Sequence, residues 1–290
     1  MAAPLRTPPR HDRRDRARPW PRSITLVAVA LGSALAGAVC LGAAQQVQES
    51  RKAQAMLVSL TLRETAAQQA ATIAKQAQDI AQKRLEAGVA AFSEVSEAAS
   101  RTLAAETTAH LAQLDVAEMR ASLKPVRNDL AAPTINGRDF VLERLTAQQD
   151  TASAHVNVIT RGELDRAKAR FDAGLLPPDE LATLQISSEL DNLALKLLSD
   201  KIAIRKRFAT GQLNAQQTEQ QGLVAQAVSA QKAAERKLAV AQQRLATVTN
   251  LHQKAAVSLA DVNQAQLAVA NAQVELQIAN AELAAVQTPD

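Results

Sequence analysis

The sequence predicts an all-α protein, with an N-terminal transmembrane helix followed by long antiparallel coiled-coil helical hairpins. Three observations carry that expectation. The 290 residues are 47% hydrophobic but only 2% aromatic, and an apolar fraction of mainly Ala, Leu and Val suits close-packed helices better than a sandwich or an α/β sheet. From Gln45 onward the apolar residues recur at helical and not alternating spacing. Finally, one cadence occurs twice, as RLEAGVAAFSEV (Arg84–Val95) and RFDAGLLPPDEL (Arg170–Leu181). Arginine, a bulky apolar residue, an acid, alanine and glycine recur there in order.

The first element is a basic tail. Residues 1–22 hold seven arginines against Asp12 and Asp15 and are broken by prolines, which predicts a disordered segment. Residues 23–44, SITLVAVALGSALAGAVCLGAA, form an uncharged run of the length a bilayer-crossing helix needs. The arginines before it predict a cytoplasmic N-terminus in the bacterial inner membrane, and Trp20 sits where an interfacial aromatic belongs. A cleaved signal peptide ending near LGAA is the rival reading. In either case the bulk of the chain is expected in the periplasm.

Cys40 is the one cysteine, so an intramolecular disulfide and a thiolate metal cluster are excluded. The formal charge of +4 resides largely in the tail. The remainder is close to neutral and lacks the basic face that nucleic acid demands.

The third hairpin, 211–290, shows its seam most plainly. Val262, Val269, Leu276 and Leu283 recur every seven residues, and Ala265, Ala272, Ala279 and Val286 follow each by three. This is a heptad seam with alanine at one position, which lets helices approach closely. The preceding arm keeps the rule with Val224, Ala227, Ala234, Leu238, Ala241, Leu245 and Val248. The short HQKAAVS connection joins the two arms as an antiparallel hairpin.

The repeated cadence reads as a hairpin tip. In hairpin 1, 45–123, Gly88 suits the left-handed conformation that ends a helix. Ser93 offers an N-cap for the returning arm, and Glu94 and Glu97 suit its positive end. In hairpin 2, 139–210, Gly174 is followed by Pro177 and Pro178, tolerated in a first turn. The segment 124–138 carries two prolines and an Asn-Gly pair and reads as a loop. Thr160 followed by Glu163 reads as a capping box, predicting a helix break within the first arm of hairpin 2.

RLEAGVAAFSEVSEAASRTLAAETTAHLAQLDVAEMRASL resembles the coiled-coil hairpins of the TolC-type outer-membrane efflux family, and RFDAGLLPPDELATLQISSELDNLALKLL is a weaker match. LHQKAAVSLADVNQAQLAVANAQVEL is similar to the hairpin of periplasmic adaptor (HlyD-like membrane-fusion) proteins. Leu251, Ala255, Ala256, Val257, Ser258 and Asp261 match there, while Thr247 stands at the family's tip arginine. The resemblance covers the hairpins alone. The sequence shows neither alternating membrane strands nor the adaptor's lipoyl and β-barrel domains. It implies protein partners with helical hairpins, or self-association, through tip residues Arg84, Gly88, Phe92, Arg170, Phe171, Gly174 and Ser258.

No catalytic constellation is expected. His11, His110, His155 and His252 are widely separated, and His252, on the seam beside a tip, reads as structural. Glu94 with Glu97, and Asp179 with Glu180, sit at helix N-termini, where the dipole accounts for them. There is no Gly-rich phosphate loop, nucleophile elbow or metal-ligand cluster, so no cofactor or metal is expected and the protein is not expected to be an enzyme. Arg84 and Arg170 read either as cations offsetting the helix dipole or as tip contacts to a partner. Three functions fit: an anchored hairpin protein of an efflux or export assembly, an envelope sensor or anti-sigma-like regulator, or a structural spacer.

Overall fold

The computed structural model describes the backbone of residues 25–288, and the side chains of residues 48–288 apart from Glu49, Pro178 and Asp179. The basic tail lies outside the described residues. The side chains of the expected membrane span, 23–44, lie outside them as well. Among the described residues no helix is long and apolar enough to cross a membrane. The chain divides into two units, Met1–Lys52 and Ala53–Asp290, and the hairpins from residue 53 onward belong to the second.

The described residues are helical, without a named strand. The helices are α1 (Thr25–Glu86), α2 (Phe92–Ser122), α3 (Phe140–Ala154), a π-helical segment (His155–Thr160), α4 (Arg161–Asp172), α5 (Pro178–Ala209), α6 (Ala215–Gln253) and α7 (Leu259–Gln287). Packing follows chain order: α2 lies on α3, α3 and α4 lie on α5, α5 lies on α6, and α6 lies on α7. Neighbours run antiparallel, so the turns at Gly88, Gly174 and Ala255 share one end, here the tips. The turn at Gly211 and the 124–138 loop share the other, the base.

The α6–α7 seam follows the expected heptads. Ala227, Ala234, Val248, Val262, Ala265, Ala272 and Ala279 are buried. Val269, Leu276, Leu283 and Val286 are half-buried beside them. In α1 the half-buried positions step by four and three, through Leu57, Leu60, Glu64, Ala67, Ala71, Ala74 and Gln78, to buried Ala81. In α2 one row, including Ser96, Leu114 and Glu118, serves α3 and its continuation. A second row, Val95, Thr102, Ala109, Val116 and Met119, is buried on the opposite side of α2.

The base holds the largest apolar cluster, built on Leu130, Val141, Leu145, Ile202, Ile204 and Leu213. Arg205 is fully buried within it. Its guanidinium donates to Asp139 Oδ2 at 2.9 Å and to the carbonyls of Leu130 and Ala132 at 2.7 and 2.6 Å. Asp139 also accepts from the Leu142 N–H and so caps α3. A second buried guanidinium, Arg144, pairs with Asp115 at 2.9 Å and with Glu118. These two arginines tie the loop to three helices, and each buried charge has its partners, as a low-dielectric interior requires. Within the loop, Asn136 and Gly137 both have positive φ, and Ile135 and Arg138 exchange two backbone hydrogen bonds. That is the two-residue turn favoured by an Asn-Gly pair.

Two local expectations are corrected. The chain does not break at Thr160. Its φ of −59° and ψ of −44° are helical, and its hydroxyl donates to Asp191 of α5 at 2.9 Å. Glu163 likewise turns outward to accept from Ser96 of α2. Cross-helix partners took both side chains, and the stretch Val156–Thr160, β-branched at every position but Asn157, lies in a π-helical widening. Nor is Ser93 an N-cap. α2 starts two residues earlier than that, at Phe92 behind Ala91, without a side-chain cap.

Candidate functional site at the hairpin tips

Each predicted tip is a turn of one form. At the first, the Gly88 N–H donates to the Leu85 carbonyl and the Val89 N–H to the Arg84 carbonyl. The same pair joins Gly174 to Phe171 and Leu175 to Arg170, then Ala255 to His252 and Ala256 to Leu251. This is the Schellman termination, which needs one left-handed residue. Gly88, Gly174 and Ala255 supply it at φ 71°, 73° and 55°.

The same turn appears a fourth time, at the base. Gly211 donates to Phe208 and Gln212 to Arg207, in the segment Arg-Phe-Ala-Thr-Gly. The arginine-to-glycine cadence therefore marks how these helices end, at either end of the molecule. Among the glycine turns, those at the tips are followed by an exposed apolar residue, although the base presents Leu123, 67% exposed, at the end of α2. Val89 is 66% exposed and Leu175 70%. At the third tip Leu259 stands out instead, while the corresponding base position is Gln212.

The predicted tip residues divide into those that meet and those that do not. Phe92 and Arg170 line one cleft of about 380 Å³ between the first two tips, with Glu163, Arg166, Leu176 and Glu180. The Arg166 guanidinium lies over the Phe92 ring, a cation–π contact the sequence reading missed because 74 residues separate the two. Arg84 pairs with Glu94 across its own turn, both side chains about half exposed, which is worth at most about 1 kcal/mol. Phe171 is exposed beside the second turn. Ser258 stands apart from this cleft and caps α7: it accepts from the Asp261 N–H, while its own N–H and hydroxyl donate to the Asp261 carboxylate. Those bonds hold the Asp261 carboxyl below its ordinary value. His252 is half-buried, its Nδ1 donating to the Val257 carbonyl at 2.9 Å across the third tip, which matches the structural reading.

One constellation was invisible in the sequence. His155 in the π segment stands 3.5 Å from Ser100 Oγ through Nδ1 and 3.7 Å from Asp191 Oδ2 through Nε2. The order serine, histidine, aspartate invites comparison with a nucleophilic triad. Ser100, however, lies inside α2, where the backbone N–H groups are spent on the helix ladder. No pair of free donors faces the hydroxyl to stabilise an oxyanion. The group reads as a polar bridge between α2, the π segment and α5. Among the described residues no cluster of histidine, cysteine and carboxylate side chains could hold a metal ion.

No protein-family model matches this chain, and neither the curated proteins nor the solved structures give a match.

Proposed function

We propose that this chain is a non-enzymatic, membrane-anchored hairpin protein of the bacterial envelope. Its tips dock end to end with the helical hairpins of a partner in an efflux or export assembly. The observation that supports this reading is the set of exposed apolar residues at the tips, Val89, Leu175 and Leu259, on turns that need none of them for their own geometry. An exposed apolar group at the end of a rigid arm is a contact waiting for a partner. The basic tail and the apolar run 23–44 supply the anchor and the orientation.

A photo-crosslinking residue placed at Val89 or Leu175 in membranes should capture a discrete protein partner, whereas the same residue at Gln212 should not. Equal labelling at the tips and at the base would defeat docking. The base turn at Gly211 favours the second reading, a plain spacer, because it uses the same arginine cadence with no apolar residue to present. Arg84→Gln and Arg170→Gln therefore discriminate when compared with Arg207→Gln. Under docking the first two weaken partner capture and the third does not. Under the spacer reading all three behave alike.

A further inference from the structure

α1 and α7 each carry a second apolar face, exposed on the side away from the buried or half-buried row. On α1 the side opposite its half-buried row presents Leu62, Ala66, Ala70, Ile73, Ala77 and Ile80, all exposed, with Leu62 at 66% and Ile73 at 65%. On α7 the side opposite the α6 seam presents Leu267, Ala270, Val274, Ile278, Ala281 and Ala285, with Leu267 at 62% exposure. Both stripes keep heptad steps: Ile80, Ile73 and Ala66 descend by sevens, and Leu267, Val274 and Ala281 ascend by sevens. A helix apolar on two opposite sides has a place for a neighbour on each, and within the chain only one side is used.

We propose that a second copy of this chain fills the vacancy, the α1 edge of one molecule packing on the α7 edge of the next. Three features select that occupant. The first is direction: α1 runs toward the tips and α7 away from them, so with tips aligned the joined edges are antiparallel, like every neighbouring pair within the chain. The second is register. Ile80 lies 8 residues before Gly88 and Leu267 lies 12 after Ala255, and Ile73 and Val274 lie 15 and 19 away. The offset stays at four residues, about 6 Å of helix, so the heptads match step for step. The third is charge. At about 100° per residue, Arg63 and Lys83 border the α1 stripe, while Glu64, Asp79 and Glu86 fall toward the other side. α7 has no basic residue, and Glu282 and Glu275 border its stripe, Glu275 being paired with Lys237 of α6. Arg63 lies 25 residues before its turn glycine and Glu282 27 after Ala255, which puts the two charges at one level. Such an interface is heterologous and leaves an α7 edge free for another copy, so assembly proceeds beyond the dimer. It involves no tip residue and does not rest on tip docking.

The test uses the full chain in detergent with Cys40→Ser. Ile73→Cys with Val274→Cys in one chain, and as a second pair Ile80→Cys with Leu267→Cys, should give on oxidation a ladder of species above the dimer. Each single variant should stay uncrosslinked. Arg63→Glu and Glu282→Arg should each weaken assembly by about tenfold in light scattering, and together should restore it, with helicity unchanged throughout. Arg84→Gln and Arg170→Gln should leave assembly intact, which separates this edge from the tips. An efficient dimer from Ile73→Cys alone would overturn the proposal by showing α1 paired with itself. So would a chain that stays monomeric at micromolar concentration, a charge-reversed double variant no better than its singles, or a monomer that uses Ile73 and Ile80 to bind phosphatidylglycerol vesicles.

Discussion

Ala255 holds, at φ 55°, the place that glycine takes in the three other turns of the same form. A left-handed alanine costs about 1 kcal/mol through its Cβ, so Ala255→Gly should raise stability by several tenths of a kcal/mol to about 1 kcal/mol in chemical denaturation. Gly88→Val should do the reverse by roughly 1–2 kcal/mol, since nothing lies within 4 Å of a Cβ there and backbone strain alone opposes it. Equal effects of both substitutions would mean that these turns are not held at positive φ. Three residues on, the Ser258–Asp261 box carries a pH signature. Hydrogen bonds from Ser258 depress the Asp261 value, so the box contributes fully above the unfolded carboxyl value and is lost as pH falls through the lower, folded one. An NMR titration should find Asp261 below a model aspartate, and Ser258→Ala should return it toward the ordinary value. Gly88 and Gly174 were legible in the sequence as turn residues because their signals are local. The positive φ of Ala255 was not, because alanine carries no turn signal.

At the scale of the element, seams were the most legible feature and caps the least. The Val262–Val286 heptads predicted which side of α7 is buried, since a side chain every seven residues can serve one neighbour only. Ala265, at 4% exposure, and Ala272, at 7%, mark the close approach of α6 and α7. Ala272→Leu should therefore force the helices apart at a cost of about 1–3 kcal/mol. A melting temperature unchanged by that substitution would show that the seam is loose. The Thr160–Glu163 pattern failed as a capping box for a physical reason. A cap is a local bargain worth about 1 kcal/mol, and Thr160 and Glu163 found partners on α5 and α2 instead. Asp191 lies 31 residues from Thr160 and Ser96 lies 67 from Glu163, so no window short enough to read as a motif contains either pair.

Over the whole hairpin unit, the buried charges gather at the base. Arg205 with Asp139 and Arg144 with Asp115 and Glu118 flank the largest apolar cluster, whereas the third tip has only the small group of Val248, Val262 and Ala265. Sequence reading saw the 124–138 segment only as a loop, because Arg205 stands 66 residues from Asp139 and three helices must assemble before their bond exists. Once formed, the bond is costly to break from one side: a buried carboxylate without its cation loses roughly 3–5 kcal/mol. The arms should therefore be anchored at the base and fray from the tips. In hydrogen exchange of residues 53–288, amides of Ile202–Arg205 and Val141–Leu145 should be protected close to the global limit, and those within two turns of Gly88 and Gly174 should open earlier. Arg205→Leu should bring base protection down to the level of the tips while the α6–α7 seam, which touches neither arginine, keeps its own. If the base instead exchanges as fast as the tips in the unmodified protein, the buried arginines do not anchor the arms, and the order of unfolding must come from the seams alone.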